Sequence, residues 1–376
     1  MAAAAASRYA VRLVNIVHLE LGRYVYGGAE QVRYLLRGLR DDAHQHTLIC
    51  SAGSDLHRWA ESAGQPVVAL TFGGEHDLAF VLRLIKALGV LNADLLHVHS
   101  RRGADWMGAL ASWRLGIPAV LSRRVDHVPG RWLRWLMSAG YARTIAISQT
   151  IADLLVLHGV DAERLLTIHS SVHWQETDEA RARELLTDVL GSPSRGPVIG
   201  VVAQLIERKG HRFVIEALPA WLRKTPDLRV VFFGRGPLRA ELEEQVRAAG
   251  LQAHVVFAGF RDDLDAMLRA LTLVVHPALR EGLGVSLLKA AAAGVPVVGF
   301  RAGGVTEVVV DEHTGLLVPT EDVLALTAAV ARLLDNPPLR LQFGDNARHH
   351  VADTFSASVM VQRHAALYDV LAQEHA

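Results

Sequence analysis

Short runs of Val, Ile, Leu and Phe alternate along this chain with stretches in which apolar residues recur every three or four positions. The runs read as strands and the stretches between them as amphipathic helices. In the first half the strand-like runs are Val11–Val17, Thr47–Cys50, Val67–Leu70, Leu95–His99, Ala119–Ser122 and Thr144–Ile147. Helical patterns such as Ala29–Leu39, Leu78–Leu88 and Ala104–Leu115 fall between them. Apolar strands separated by helices predict a parallel sheet covered on both faces. The alternation pauses over His173–Arg195, a polar segment with one short helical pattern that ends in GSPSRGP. A second series follows, with strands expected at Val198–Ala203, Val230–Phe233, Val255–Ala258, Leu273–Val275, Val297–Phe300 and Leu316–Val318. The tail from Glu321 reads as helix, broken at Asp335-Asn336-Pro337-Pro338. The fold class is therefore α/β, with two Rossmann-like, doubly wound domains facing a central cleft. In such sheets ligands sit at the carboxyl ends of the strands.

Composition narrows the function. A chain of 376 residues suits two domains better than one core, and 51% hydrophobic residues exclude a disordered protein. The 39 Lys and Arg balance 39 Asp and Glu, which argues against a nucleic-acid binder relying on a large positive field. The single cysteine, Cys50, excludes an internal disulfide and a cysteine metal site, so nothing demands an oxidising compartment. MAAAAAS carries no basic leader pattern, and the apolar run near Ala290–Phe300 is too short to span a bilayer. The expectation is a soluble, cytoplasmic protein that touches a membrane surface at most.

Four stretches carry candidate chemistry. YVYGGAEQ, Tyr24–Gln31, places paired glycines before a helix, where backbone N–H groups suit a phosphate or sugar. AQLIERKGH, Ala203–His211, sets Arg208 and Lys209 after a strand, and a basic pair there neutralises a diphosphate. In HPALREGLGVSLLKAAAAGVPVV, His276–Val298, Glu281 precedes the amides of Gly282–Val285 at a helix start. That carboxylate either favours the helix dipole or accepts from sugar hydroxyls. FRAGGVTEVVVDEHTGLLVP, Phe300–Pro319, repeats a glycine pair after a strand, with Glu307 in the helix that follows.

Other signals read as structural. Asp263-Leu264-Asp265 matches a DxD pattern, but Asp262 or Asp263 is more simply a helix cap. His97 and His99 share a strand face without a third ligand candidate nearby, so no metal is assigned. SRRVDHVPGRWLRW, with Arg123, Arg124, Arg131, Trp132, Arg134 and Trp135, is either a helix with buried tryptophans and a solvated basic face or a surface for anionic lipid or acceptor.

Taken in order, GGAEQ, AQLIERKG, FFGRGPLRAELE, VVFAGFRDDL, PALREGLGVSLLKAAAAGVPVV, GGVTEVV and TGLLVP resemble the family 4 retaining glycosyltransferases (group 1, GT-B architecture) over nearly the whole chain. The resemblance implies an N-terminal acceptor-binding domain over 1–175, a C-terminal nucleotide-sugar-binding domain over 176–355, and a helix over 356–376 crossing back to the first. It implies transfer of a hexose from a nucleotide diphosphate sugar with retained anomeric configuration, and no required cofactor or metal. The implied acceptor is a bacterial cell-envelope glycan or glycolipid such as lipopolysaccharide or exopolysaccharide. Peripheral contact with the cytoplasmic face of the inner membrane and no nucleic-acid partner go with that reading.

Residue by residue, Gly27 and Gly28 match the turn near the donor diphosphate. Lys209, assisted by Arg208, matches the cation that neutralises the leaving diphosphate. Glu281 matches the first Glu of a Glu-x(7)-Glu motif that contacts the donor sugar, and Gly282, Leu283, Gly284 and Val285 offer amides to it. Phe260 and Arg261 fall where the family meets the nucleobase. His99, Arg123 and Arg124 fall where N-terminal residues face the reacting sugar. Two departures stand out. The second motif Glu, which binds ribose in the family, is Lys289 here, and an ammonium cannot accept. Gln204 stands near where many members carry a phosphate-binding Arg. These departures keep in view a non-catalytic sugar-nucleotide-binding relative acting with a partner enzyme; the shared GT-B architecture adds an isomerase like the UDP-sugar 2-epimerases, against which the EGLG block argues.

Overall fold

The computed structural model describes residues 13–25, 27–99, 103–127 and 130–375. Thirteen strands alternate with helices in two sheets. The first sheet is built from β1 (Asn15–Glu20), β2 (Gln45–Ser51), β3 (Val67–Leu70), β4 (Leu95–Val98), β5 (Ala119–Arg123), β6 (Arg143–Ala146) and β7 (Leu165–Thr167). Its order is β3-β2-β1-β4-β5-β6-β7, with every pair parallel. The second contains β8 (Val198–Val202), β9 (Arg229–Phe233), β10 (Val255–Gly259), β11 (Leu273–His276), β12 (Val297–Phe300) and β13 (Gly315–Val318). Its order is β10-β9-β8-β11-β12-β13, again all parallel.

Burial explains the strands. Every residue of β4, β5, β8, β11, β12 and β13 is buried, as strands covered on both faces require. Polar chemistry accordingly collects at their carboxyl ends. The helices start on side-chain caps where the sequence supplies them. Asp322 accepts from the Ala325 amide and Asn336 from the Leu339 amide, with Pro337 opening the next helix.

The chain forms two compact units. One comprises the described residues up to Ile147, Ala152–His169, and the last helix, Ala357–Glu374. The other comprises Ser148–Ile151 and Ser170–Ser356. The last helix packs Met360, Leu367, Tyr368 and Leu371 into a core with Val14 and with Ile16, Leu95 and Val120 of the first sheet.

Three details depart from the sequence reading. The first strand runs over Asn15–Glu20 and not Val11–Val17; positions 11 and 12 lie outside the described residues. Its polar residues His18 and Glu20 lie beyond the expected strand, and both are buried. The short edge strand β7 carries no apolar run long enough to stand out. Asp263 occupies the cap position of the helix Leu264–Met267 but makes no side-chain cap bond; its carboxylate pairs with Arg261 instead.

Leu371 is fully buried in the core of the first unit. Leu371→Ala is expected to cost that unit about 2–5 kcal/mol, measured as a lowered urea midpoint.

Candidate functional site

In the second unit the strand order reverses between β8 and β11, the place where an open parallel sheet leaves a crevice at its carboxyl edge. The loop after β8 carries Lys209 and the loop after β11 carries Glu281. Gly210 lets the two approach. Its φ is 68°, and a Cβ there would lie 2.0 Å from the Pro277 carbonyl oxygen. Gly304, after β12, braces the other side. Its amide donates to the Glu281 carbonyl at 3.0 Å, and a Cβ would lie 2.3 Å from the Gly282 carbonyl oxygen.

Lys209 Nζ pairs with Glu281 Oε2, both side chains only 11% exposed. His276, the last residue of β11, holds the same oxygen through Nε2 at 2.8 Å. The Gly282 amide donates to Oε1 at 3.1 Å. Burial alone would raise the Glu281 carboxyl. The hydrogen bond from His276 and the charge of Lys209 outweigh it and hold Glu281 well below its ordinary value. Burial pushes the His276 imidazole down, so it donates as a neutral ring. Glu281 is thus an ionised carboxylate, fixed by three donors, beside the N-terminus of the helix Val285–Ala292. The first-turn amides of that helix have no intrahelical acceptor and suit an anion.

Other predicted residues sit around this cluster without joining it. Arg208 Nη1 donates to the Arg280 carbonyl at 3.1 Å, which fixes the loop after β11. Gln204 is exposed in the loop after β8. Phe260, 51% exposed, lies with the Arg235 guanidinium 5.8 Å from its ring centre, and Arg261 is clamped on Asp263. Lys289 does not point free: it grips both oxygens of Asp265 at 2.9 and 2.8 Å. The amide of Gly282 is already engaged by Glu281, so the cradle expected over Gly282–Val285 begins at Leu283.

In the first unit the strand order reverses between β1 and β4. Gly27, with φ 55°, precedes the helix Gly28–Gly38 after β1. A Cβ on Gly28 would lie 3.1 Å from Cδ of Arg124. Burial pulls the Arg124 guanidinium down to about 10, against the charge of Glu20, so it stays charged at neutral pH. Glu20 at the end of β1 is raised by burial, while the Gly22 amide and Arg124 oppose the rise. Arg123 is buried and donates to the His127 carbonyl at 2.9 Å. It also lines a pocket of about 660 Å³ with Asp105, Trp106, His127 and Trp132.

His99 follows β4 at the same edge and is buried. The sequence reading found no third histidine near His97 and His99. The structure supplies His18, whose ring nitrogens come within 4.8 Å of theirs. Trp132 and Trp135 also correct an expectation. On the helix Arg131–Ala139 they are 58% and 62% exposed, while Leu136 and Met137 face the core.

Sequence reasoning missed His276, Asp265, His18 and Glu20. His276 and His18 each fell one residue beyond an expected apolar strand. Asp265 lay within a motif whose partner, Lys289, is 24 residues away.

Residues 182–350 match the family described as Glycosyl transferases group 1, and residues 26–170 match the Glycosyl transferase 4-like domain. The 2-deoxystreptamine glucosyltransferase of Streptomyces kanamyceticus is 30% identical over 286 residues, covering 70% of this chain and 74% of the relative. The lipopolysaccharide core biosynthesis mannosyltransferase LpsB of Rhizobium meliloti is 27% identical over 288 residues, covering 73% and 79%. The crystal structure of HepE from Anabaena in complex with UDP superposes with a TM-score of 0.81 at 21% identity, covering 95% of this chain and 100% of HepE. That likeness shows the fold.

Because the folded-state value of Glu281 lies below its ordinary 4.5, its contribution to stability is fully present above pH 4.5 and is lost as pH falls below it. Urea unfolding across a pH series is expected to show Glu281→Gln losing less stability than wild type below pH 4.5.

Proposed function

The chain belongs to the glycosyl transferases group 1 family, and on that premise we propose that it is a retaining, metal-independent hexosyltransferase using a nucleoside diphosphate sugar. The observation that carries this reading is the buried Lys209–Glu281 pair, set beside a helix N-terminus at the strand-order reversal of the second unit.

Departure of a nucleoside diphosphate builds negative charge on a phosphate oxygen. Lys209 and the amides from Leu283 onward stabilise that charge more in the transition state than in the ground state. Glu281, ionised and fixed by His276, accepts from hydroxyls of the sugar. Its bond to Lys209 also keeps the ammonium in place before the donor binds. Retention needs no enzyme nucleophile: the acceptor hydroxyl attacks the face the diphosphate leaves, and the diphosphate takes its proton. Lys289 cannot accept from ribose hydroxyls, but the Asp265 carboxylate it grips can. Phe260 is exposed for stacking on the base. In the first unit, Gly27 and Gly28 match the family's glycine turn, and His99, Arg123 and Arg124, at or just beyond the carboxyl ends of β4 and β5, are assigned to sugar or acceptor. The UDP held by HepE makes uridine donors the first to test.

The acceptor proposed is a cell-envelope glycan or glycolipid, in line with LpsB. The relative that glucosylates 2-deoxystreptamine favours a second acceptor class, a small aminocyclitol. Exposed Trp132 and Trp135 beside Arg131 and Arg134 support the envelope reading, since aromatic and basic side chains together suit an anionic lipid surface. Among the described residues no helix is long and apolar enough to cross a membrane, so such contact would be peripheral.

A thermal-shift and hydrolysis panel over UDP-, GDP-, ADP-, CMP- and dTDP-sugars tests the donor. One nucleotide class is expected to stabilise the protein and be slowly hydrolysed, with Lys209→Ala lowering kcat by roughly 10²–10³. Binding without turnover, given an acceptor panel, would favour the non-catalytic relative. Release of an epimeric sugar nucleotide without any acceptor would favour the isomerase. Lys289→Glu sets two carboxylates together at Asp265 and is expected to weaken donor binding; tighter binding would remove Asp265 from the ribose site. Sedimentation with phosphatidylglycerol vesicles is expected to capture the wild type and to lose it in Trp132→Ala/Trp135→Ala.

A further inference from the structure

The parallel order β2-β1-β4 gathers histidines from three distant sequence positions. His18 stands opposite His97 in the register of β1 and β4, and His46 stands opposite Ile16, two residues before His18 on the same face. His99 lies two residues beyond His97, its ring tilted 32° against that of His97 with ring centres 3.8 Å apart. The rings form a continuous line of contacts. His99 Nε2 meets His18 Nδ1 at 3.0 Å, His18 Nε2 meets His46 Nδ1 at 3.0 Å, and His46 Nε2 meets Asp42 Oδ2 at 2.8 Å. His18 and His99 are buried, while the Asp42 side chain is 18% exposed.

We propose that Asp42, His46 and His18 are positioning residues that hold His99 as its Nε2–H tautomer and leave Nδ1 as a bare acceptor for a substrate hydroxyl. The direction of each bond follows from the end of the line. A carboxylate only accepts, so His46 carries a proton on Nε2; burial lowers the His46 imidazole against the pull of Asp42, the ring is neutral, and its Nδ1 is a lone pair. His18 must then donate through Nε2, and its own Nδ1 accepts. His99 in turn donates through Nε2. Its Nδ1 is buried and has no partner among the described residues. Burial first, and neighbouring histidines second, push His18 and His99 well below the ordinary histidine range, so both rings are neutral and each has one donor and one acceptor.

His97 stands outside the line. Tyr368 OH and Ser122 Oγ occupy its two nitrogens at 2.6 and 2.9 Å. The same contacts argue against a metal on His18, His97 and His99, because an ion would have to displace a partner from two of the three rings. A substrate hydroxyl reaches the buried Nδ1 only when the residues covering it move aside, and that assignment rests on the transferase reading; the tautomer does not. A hydroxyl donates well to a neutral imidazole nitrogen, whereas an Nδ1–H tautomer would meet the same hydroxyl as a donor and select against it.

Long-range ¹H–¹⁵N correlation spectra of the ¹⁵N-histidine-labelled full chain test the line without any substrate. His46, His18 and His99 are all expected to carry the proton on Nε2. A proton on Nδ1 of any of the three overturns the proposal, as does stoichiometric zinc that copurifies with the protein and is lost in His18→Gln. Asp42→Lys puts a donor where the acceptor was, at a position open enough to take it. It is expected to reverse the line and move the His99 proton to Nδ1; an unchanged His99 pattern overturns Asp42 as the anchor. With the donor identified by the panel above, the same variant is expected to lower kcat/KM by roughly tenfold. Wild-type protein that turns over no donor defeats the transferase reading, and the spectra still judge the line.

Discussion

A parallel strand buried on both faces can hold charge only where it ends. Both sheets of this protein obey that constraint, and the placement of its chemistry follows. The residues that carry ions or bare lone pairs, Glu20, His99, Lys209, His276 and Glu281, lie at or just beyond the carboxyl ends of β1, β4, β8 and β11. These are the four strands that flank the two reversals of strand order.

Within that frame the Lys209–Glu281–His276 cluster solves an electrostatic problem. A carboxylate in a half-dry loop is costly unless donors surround it. Lys209, neutral His276 and the Gly282 amide supply them, and glycines at 210 and 304 let the three loops come close enough. In the proposed reaction, a site preorganised in this way needs little rearrangement when negative charge develops on a departing diphosphate. The pairing of Lys289 with Asp265 belongs to the same logic. Reversing the charge at position 289 leaves a carboxylate nearby, carried by a different helix.

The first unit uses neutral groups where the second uses ions. Its histidines form hydrogen-bonded contacts through a core too dry to charge them, and Arg124 is the cation beside them. Neutral imidazoles suit recognition of hydroxyls, and the cation–carboxylate pair suits phosphate and sugar. The chemistry of the two units is complementary in that sense.

Much of this was legible in the residues alone. Apolar runs separated by helical patterns are enough to specify two parallel sheets, because only strands covered on both faces stay apolar throughout. The ordered motifs around Gly27, Lys209 and Glu281 carried the family, since loops that approach a phosphate need glycine and a cation at fixed offsets from a strand end. What the sequence did not disclose involves partners far apart in the chain. Lys289 looked like an unpaired departure until the fold set Asp265 against it. Trp132 and Trp135 read either as buried or as surface until the packing of their helix put Leu136 and Met137 inward. His99 was a candidate by itself, and nothing local tied His18 and His46 to it until the order β2-β1-β4 aligned the three. Local pattern determines which elements form, because propensity and burial act over a few residues. Which side chains meet is decided by strand order and register, and those exist only in the tertiary structure.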